Sequence, residues 1–116
     1  MENQAEVREL LIKARKVIEN PENWCRGAYS WDGKHCAVGA LYEVTGDSQR
    51  EIINDSLKLY PAYEYLNQLT LDSSGIIHYN DSHQHHEVLA IFDIAIASLS
   101  EVVTEDEVVK ELVTVG

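Results

Sequence analysis

The amino-acid sequence predicts a mostly helical α+β fold with about five helices and a short hairpin or strand pair at one end. The length of 116 residues fits one compact globular domain spanning 1–116. Apolar residues recur at three- and four-residue spacing over 3–19 and from His85 to about Ser100, which predicts two amphipathic helices. Between them, Asp32-Gly33 is a turn signal within an aromatic-rich stretch, which predicts the hairpin.

The first half of the chain is divided by residues that end helices. Asn20-Pro21 ends the first helix, because proline disfavours helical geometry in the residue before it. Residues 24–35 are expected to be irregular or a short hairpin. A short helix then runs from Cys36 to Val44, with Gly46 as its C-terminal stop.

Gly39 lies inside this predicted second helix. A glycine in a helix interior costs about 1 kcal/mol relative to alanine, a cost that close packing commonly offsets. We therefore expect another element to cross the helix at Gly39 and Ala40.

The middle of the chain is predicted to hold two further helices. Asp47 or Ser48 is expected to cap one that runs to about Leu59, with Ile52 among its apolar positions. A shorter helix is expected to begin at Pro61, since proline suits a first helical turn.

The last part of the chain is predicted to contain a strand and two helices. A turn at 72–75 precedes a short strand from 75 to 79, rich in β-branched residues. Asp81 or Ser82 is expected to cap the long helix that follows. Thr104 with Glu107 fits a capping box, which predicts a final helix to about residue 113.

The formal net charge of -11, from 20 acidic and 9 basic residues, limits the classes of partner. A negative field repels phosphate backbones, so we expect no direct binding of nucleic acid. No apolar stretch approaches the roughly 20 residues that a membrane span needs, and the polar N-terminus does not resemble a secretory signal. We therefore expect a cytoplasmic protein that does not enter a membrane. Cys25 and Cys36 are expected to be free thiols in that compartment, and the alternative is that they pair where the hairpin folds back.

Cys36 is the residue with the most suggestive chemistry, because a helix dipole favours a thiolate at a helix N-terminus and lowers its pKa. With His78 as base and Asn80 after it, the chain order Cys, His, Asn matches papain-like hydrolases. The catalytic candidates are therefore Cys36, His78 and Asn80. The alternative is that Cys36 is a small buried residue of the core.

A ligand site near the start of the second helix is the other chemical interpretation. Aromatic side chains would stack on a base, and Arg26 or Lys34 would bind a phosphate. The candidate ligand-binding residues are Trp24, Arg26, Trp31, Cys36, Tyr79, Asn80 and Asp81. Cysteines and histidines suited to zinc are present without paired C-x-x-C spacing, so we expect no metal and no cofactor. The alternative for Asn80 and Asp81 is a turn that caps a helix.

A distinctive pattern of residues runs through the centre of the chain. It consists of Trp24-Cys25, Gly27-Ala28, Cys36-Ala37, Gly39-Ala40-Leu41, Asn80-Asp81, and Glu87-Val88 with Asp93 and Ala95. This pattern resembles domain of unknown function 6197, a family of small bacterial and phage proteins, from Trp24 to about Ala97. The family often has a threonine between Asn-Asp and Glu-Val, where this chain has residues 83–86, rich in histidine. The resemblance implies no activity, but phage membership implies a host-directed or counter-defence role.

These observations favour a non-enzymatic binding protein, for a nucleotide-like small ligand or a host protein partner. One alternative is a cysteine-dependent hydrolase that uses Cys36 and His78. Another is an acidic inhibitor that docks on a nucleic-acid-handling protein, as the net charge of -11 would permit. The oligomeric state is left open.

Overall fold

The computed structural model of this chain describes residues 4–70 and 75–100. In these ranges there are five α-helices and one antiparallel hairpin. The helices are α1 (Gln4–Ile18), α2 (Ala37–Thr45), α3 (Tyr60–Leu69), α4 (Gly75–Ser82) and α5 (His85–Ser100), and the strands are β1 (Ser30–Trp31) and β2 (Lys34–His35). A 3₁₀ turn, Pro21–Asn23, follows α1. The predicted class, a mostly helical α+β fold with a hairpin, is confirmed.

The core forms where α1 packs against α2 and α5. Helix α1 buries Val7, Leu11, Ala14 and Ile18, which follow one another at spacings of three and four and so share one face. Helix α2 is buried through its first two turns, from Ala37 to Tyr42, and is therefore the central element of the fold. The start of α2, with Cys36 as its N-cap, lies at the inner end of the hairpin.

The predicted ends of α1, the hairpin and α2 are confirmed. Asn20 caps the 3₁₀ turn through its side chain, and the hairpin turns at Asp32 and Gly33, both with positive φ. Gly46 adopts the left-handed conformation, with φ of 77°, and its N–H donates to the Tyr42 carbonyl over 2.9 Å.

The close crossing expected at Gly39 is also confirmed. A Cβ placed on Gly39 would lie 1.7 Å from the backbone carbonyl oxygen of Tyr29. The same carbonyl accepts a hydrogen bond from the Cys36 N–H over 3.0 Å. The element that crosses α2 is therefore the segment leading into the hairpin.

The helix predicted from Asp47 or Ser48 to Leu59 is wrong, since residues 46–59 form turns and irregular structure. Local hydrogen bonds from polar side chains replace those of a helix. The Asn54 side chain accepts from the Ser56 N–H over 2.9 Å, for example. Asp47 does not cap a helix but instead accepts the Leu59 N–H over 2.8 Å, so it ties the two ends of this loop together.

The loop also lacks an apolar face that a helix would bury. Ile52, one of the predicted core positions, is 88% exposed. Leu57 and Leu59, at the end of this segment, are buried, and Ile53 packs against the core while partly exposed. Scattered tertiary contacts, such as the hydrogen bond from the Tyr42 hydroxyl to the Glu51 carbonyl over 3.2 Å, thus hold the segment without a helical face.

The strand predicted over 75–79 is wrong as well, because these residues open helix α4. Gly75 has φ of 90°, and the Asn67 side chain accepts the Ile76 N–H over 2.7 Å, so α4 begins with a side-chain cap from α3. A helix places Ile76 and Asn80 on the same face, four residues apart, and both are buried. A strand would have placed His78 on that face as well, whereas His78 is exposed.

The cap predicted for α5 is also corrected. Neither Asp81 nor Ser82 caps it, because both belong to α4. Instead the Gln84 N–H donates to Glu87 Oε1 over 2.9 Å, while the Gln84 carbonyl accepts from Glu87 N–H. This arrangement resembles the reciprocal half of a capping box, with glutamine in place of serine or threonine.

Some predictions concern parts of the chain outside the described residues. The turn at 72–74 and the final helix from Thr104 to Val113 are among them. The single domain spanning 1–116 stays a prediction for the same reason. In the parts of the chain that are described, no helix combines the length and apolar character required to cross a membrane.

Candidate functional site

Asn80 is the residue that joins the segment from Trp24 to Cys36 to the rest of the fold. Its side chain is 0% exposed and projects from α4. The amide oxygen accepts hydrogen bonds from the Trp24 indole over 2.8 Å and from the Ala37 N–H over 3.0 Å. The amide nitrogen donates to the Cys25 carbonyl over 3.0 Å and to Asp81 Oδ1 over 3.3 Å.

These bonds use the full hydrogen-bonding capacity of the Asn80 amide, which offers two donors and two lone pairs. Asn80 therefore fixes the position of the loop and of the α2 N-terminus, and a ligand would have to displace one of these bonds to reach it. From the sequence, Asn80 is either a ligand-binding residue or a helix cap. Asn80 satisfies an N–H group at the start of α2, not of α5.

Asp81 extends this network on the solvent side. Its Oδ1 atom accepts the Gly27 N–H over 3.0 Å as well as the Asn80 amide. Gly27 has φ of 79°, a conformation that glycine adopts without strain. The loop is thus held at Trp24, Cys25 and Gly27 by two consecutive side chains of α4.

A cavity of about 310 Å³ lies beside this junction. We call it the Cys36 cavity, and its lining residues are Gly27, Ala28, Tyr29, Cys36, Ile77 and Asp81. Two of these residues, Cys36 and Asp81, are among the candidates from sequence. The lining is mostly apolar, with one carboxylate and one thiol as polar side-chain groups besides the Tyr29 phenol.

Cys36 is buried and its sulfur accepts a hydrogen bond from the Gly39 N–H over 3.3 Å. Burial raises the pKa of the Cys36 thiol to about 11, although hydrogen bonds from the Gly39 and Val38 backbone oppose the rise. The sequence predicted the opposite direction from the helix dipole alone. That prediction is wrong, because loss of hydration outweighs the donors at the helix N-terminus.

His78, the proposed base, is exposed on α4. It is two residues from both Ile76 and Asn80, a separation of about 200° around a helix, so it lies away from their buried face. The hydrogen bonds among the described residues do not include one between His78 and Cys36. The catalytic roles of Cys36, His78 and Asn80 stay a prediction that this geometry does not support.

Arg26 and Trp24 lie together at the edge of the junction. The Arg26 guanidinium carbon is 4.9 Å from the centre of the Trp24 ring, and the guanidinium donates to the His83 carbonyl. The Trp24 ring also packs against His85, with ring centres 5.4 Å apart, and His85 Nε2 meets the Ile18 carbonyl at 2.6 Å. These contacts join the loop to α5 through Trp24 and to the link between α4 and α5 through Arg26.

The remaining candidates, Trp31 and Tyr79, do not line the Cys36 cavity. Trp31 lies at the tip of the hairpin and is 71% exposed. Tyr79 stacks on His83, with ring centres 3.7 Å apart and planes inclined by 10°. The structure thus brings Trp24, Arg26, Asn80 and Asp81 into one network beside Cys36. Tyr79 adjoins this network through His83, and Trp31 lies at the exposed hairpin tip.

Sequence reasoning missed Ala28 and Ile77 as lining residues of the cavity. Ala28 falls within the motif Gly27-Ala28, which was a signal for the segment but not for a cavity wall. No motif marked Ile77, and the strand predicted over 75–79 would have placed its side chain among different residues. The described residues also contain no group of three or more potential ligands arranged to hold a metal ion.

Comparison with known proteins supports one assignment. The model of the family of unknown function DUF6197 matches residues 2–98, most of the chain. The match includes α1, which the resemblance seen in the sequence did not cover. No curated protein and no solved structure matches the chain. The chain belongs to the family of unknown function DUF6197.

Proposed function

We propose that this protein is a non-enzymatic binding protein that holds a small molecule in the Cys36 cavity. The observation that carries the proposal is the cavity itself, of about 310 Å³, at the junction between the loop and α4. Cavities that bind small ligands measure about 300–1,000 Å³ and have apolar walls with a few placed polar groups. The Cys36 cavity fits the lower end of that range.

The walls of the cavity are held in place before any ligand arrives. The Gly27 N–H donates a hydrogen bond to Asp81, and the Cys36 N–H donates one to the Tyr29 carbonyl. Asn80 is hydrogen-bonded both to the Ala37 N–H and to the Cys25 carbonyl. A preformed cavity reduces the entropy that a ligand must lose in ordering its site. This rigidity supports binding as the function of the junction.

The chemistry of Cys36 supports a non-enzymatic role. A thiol with a pKa of about 11 is almost entirely protonated at neutral pH, whereas the thiolate is the nucleophile. Within the described residues, the sulfur is hydrogen-bonded to backbone N–H groups and not to a base. Cys36 therefore serves as a small, weakly polar part of the cavity wall.

The nucleotide-like ligand inferred from sequence is supported less well than a smaller molecule. A phosphate would need a cation, but Arg26 is already hydrogen-bonded to the His83 carbonyl and stacked over Trp24, and Lys34 does not line the cavity. The carboxylate of Asp81 would repel the phosphate. A small molecule without phosphate fits the lining better.

The proposal extends to location and biological context. Two free cysteines, Cys25 and Cys36, are typical of a reducing compartment and support a cytoplasmic location. The resemblance to phage proteins supports a host-directed role, in which binding would withdraw a small molecule of the host. Native mass spectrometry of protein purified from its natural host tests this extension. The proposal predicts a bound small molecule, seen as mass in excess of the chain, that is released on denaturation.

The experiment that tests the binding proposal is a fragment screen by ligand-observed NMR on three proteins. Ala28 is exposed and lines the cavity, so Ala28→Phe fills the cavity with little cost to the fold. Ala90→Phe adds the same bulk at an exposed position of α5 that does not line the Cys36 cavity. We expect fragments that bind the wild type and Ala90→Phe but not Ala28→Phe. Fragments that bind all three proteins equally, or none at all, would overturn the proposal.

A protein partner is the second candidate, favoured by the exposure of Trp31. A large aromatic side chain that is 71% exposed on a hairpin tip is suited to be an anchor in an interface. We expect one stoichiometric host protein to copurify with the wild type and with Ile94→Ala, but not with Trp31→Ala. Ile94 is 50% exposed on α5 and provides a matched apolar control. Identical copurification profiles for all three proteins would contradict this candidate.

A further inference from the structure

We infer that the ligand of the Cys36 cavity is a small organic cation, with an amine joined to an apolar body. The inference rests on the proposed function and names the chemical class of its ligand. Asp81 supplies the only charged side chain among the six lining residues of the described cavity. A carboxylate on an otherwise largely apolar wall selects for positive charge.

The geometry of Asp81 leaves one carboxylate oxygen available. Its Oδ1 atom accepts from the Gly27 N–H and from the Asn80 amide, over 3.0 and 3.3 Å. Among the described residues, no hydrogen bond is directed at Oδ2. The carboxylate is thus oriented through one oxygen, while the other can accept the charge-assisted bond of an ammonium group, which is stronger than a neutral one.

No cation of the described chain already neutralises this carboxylate. The ion pairs in that part of the protein join Arg15 to Glu19 and to Asp93, and Asp81 takes part in neither. Arg26, a basic residue of the loop, donates to the His83 carbonyl. The negative charge of Asp81 helps to raise the pKa of both Cys25 and Cys36.

The rest of the wall suits the body of such a ligand. Ala28 and Ile77 offer aliphatic surface, and Tyr29 offers an aromatic ring that also packs on Tyr42, with centres 5.4 Å apart. Aromatic faces attract cations, so Tyr29 is favourable to an amine as well as to an apolar group. The net charge of -11 further favours the approach of a cation and disfavours that of an anion.

Isothermal titration calorimetry with three probes of similar size tests the inference. The probes are 2-phenylethylamine, 2-phenylethanol and 3-phenylpropanoate, which are cationic, neutral and anionic at pH 7. We expect the amine to bind the wild type at least about tenfold more tightly than the alcohol, the scale of one charge-assisted hydrogen bond. We expect no binding of the carboxylate probe.

Two variants locate the effect. Asp81→Asn keeps an oxygen that can accept from Gly27 and removes the charge, so it is expected to bind the amine and the alcohol equally. Asp55→Asn removes one charge from an exposed position outside the cavity and is expected to retain the wild-type preference. A preference that persists in Asp81→Asn would overturn the inference.

The outcomes separate this inference from the proposed function. Equal binding of the amine and the alcohol to the wild type, lost in Ala28→Phe, overturns the cationic ligand and supports the cavity as a site. Failure of all three probes to bind also overturns the cationic ligand, whereas the fragment screen decides independently whether the cavity binds any small molecule.

Discussion

At the scale of single residues, Asn80 determines whether the loop and the helices form one site. Its four hydrogen bonds reach Trp24, Cys25, Ala37 and Asp81, so one side chain connects the loop, α2 and α4. Sequence reasoning singled out Asn80 but could not give this structural role. That role depends on the buried end of α2, which is distant from Asn80 in the sequence.

Replacing Asn80 with alanine is expected to lower the free energy of unfolding by about 3 kcal/mol or more. The change leaves the Trp24 indole, the Ala37 N–H and the Cys25 carbonyl without their partner, and each unsatisfied buried group costs about 1–3 kcal/mol. Urea unfolding monitored by circular dichroism measures the difference. Asn23→Ala, at an exposed position, is the control and is expected to stay within about 0.5 kcal/mol of the wild type.

Cys36 is expected to react with iodoacetamide at neutral pH at least about 100-fold more slowly than an unhindered cysteine of pKa near 8.5. The physical reason is its pKa of about 11, which leaves little thiolate. Labelling of the Cys25→Ser variant, followed by mass spectrometry, isolates Cys36. Its rate is predicted to rise about tenfold per pH unit between pH 7 and 10, in proportion to the thiolate fraction. A plateau below pH 8 would contradict the raised pKa and revive the hydrolase hypothesis.

At the scale of elements, α2 and the segment that crosses it are the best-predicted part of the fold. Gly39 predicted a close crossing of α2, and the backbone at Tyr29 makes that crossing. The wrong predictions lie where hydrogen bonds from local side chains favour a different structure from the one that the apolar pattern predicts. Residues 46–59 satisfy their own backbone through Asn54 and similar residues, and the Ile76-Ile77 pair suggested a strand although Asn67 caps a helix there.

Gly39→Ala is expected to destabilise the protein by about 2–3 kcal/mol, because overpacking against the Tyr29 carbonyl forces the backbone to shift. Gly27→Ala is the control. It meets no atom within 4 Å and is strained only by its φ of 79°, so its expected cost is about 1–2 kcal/mol. Chemical denaturation compares the two. A smaller loss in Gly39→Ala than in Gly27→Ala would contradict the close crossing.

Asp47→Ala is expected to lower the free energy of unfolding by about 1–3 kcal/mol. Asp47 Oδ2 accepts both the Leu59 N–H over 2.8 Å and the Thr45 hydroxyl over 3.0 Å, so the variant releases both ends of the 46–59 loop. The matched control is Asp55→Ala, an exposed acidic residue of the same loop, with an expected change within about 0.5 kcal/mol. Equal thermal shifts for the two variants would show that the loop does not depend on Asp47.

At the scale of the whole molecule, the sequence predicted the fold class and drew attention to the segment from Trp24 to Cys36, but it did not predict the cavity. The segment was recognisable because its glycines, tryptophans and cysteines lie at the ends of elements. The cavity also needs Ile77, whose position follows from α4 being a helix, and that depends on a cap from α3. Contacts between distant parts of the chain therefore determine the cavity, which the local sequence pattern could not predict.

The central claim is that the loop and α4 enclose one small-molecule site. The most direct measurement is a ¹H–¹⁵N correlation NMR titration of the wild type with 2-phenylethylamine. We predict saturable shifts confined to the amides around the Cys36 cavity, foremost Gly27, Ala28, Cys36, Ile77 and Asp81. Shifts scattered over the helices, or confined to the surface around Trp31, would contradict the claim.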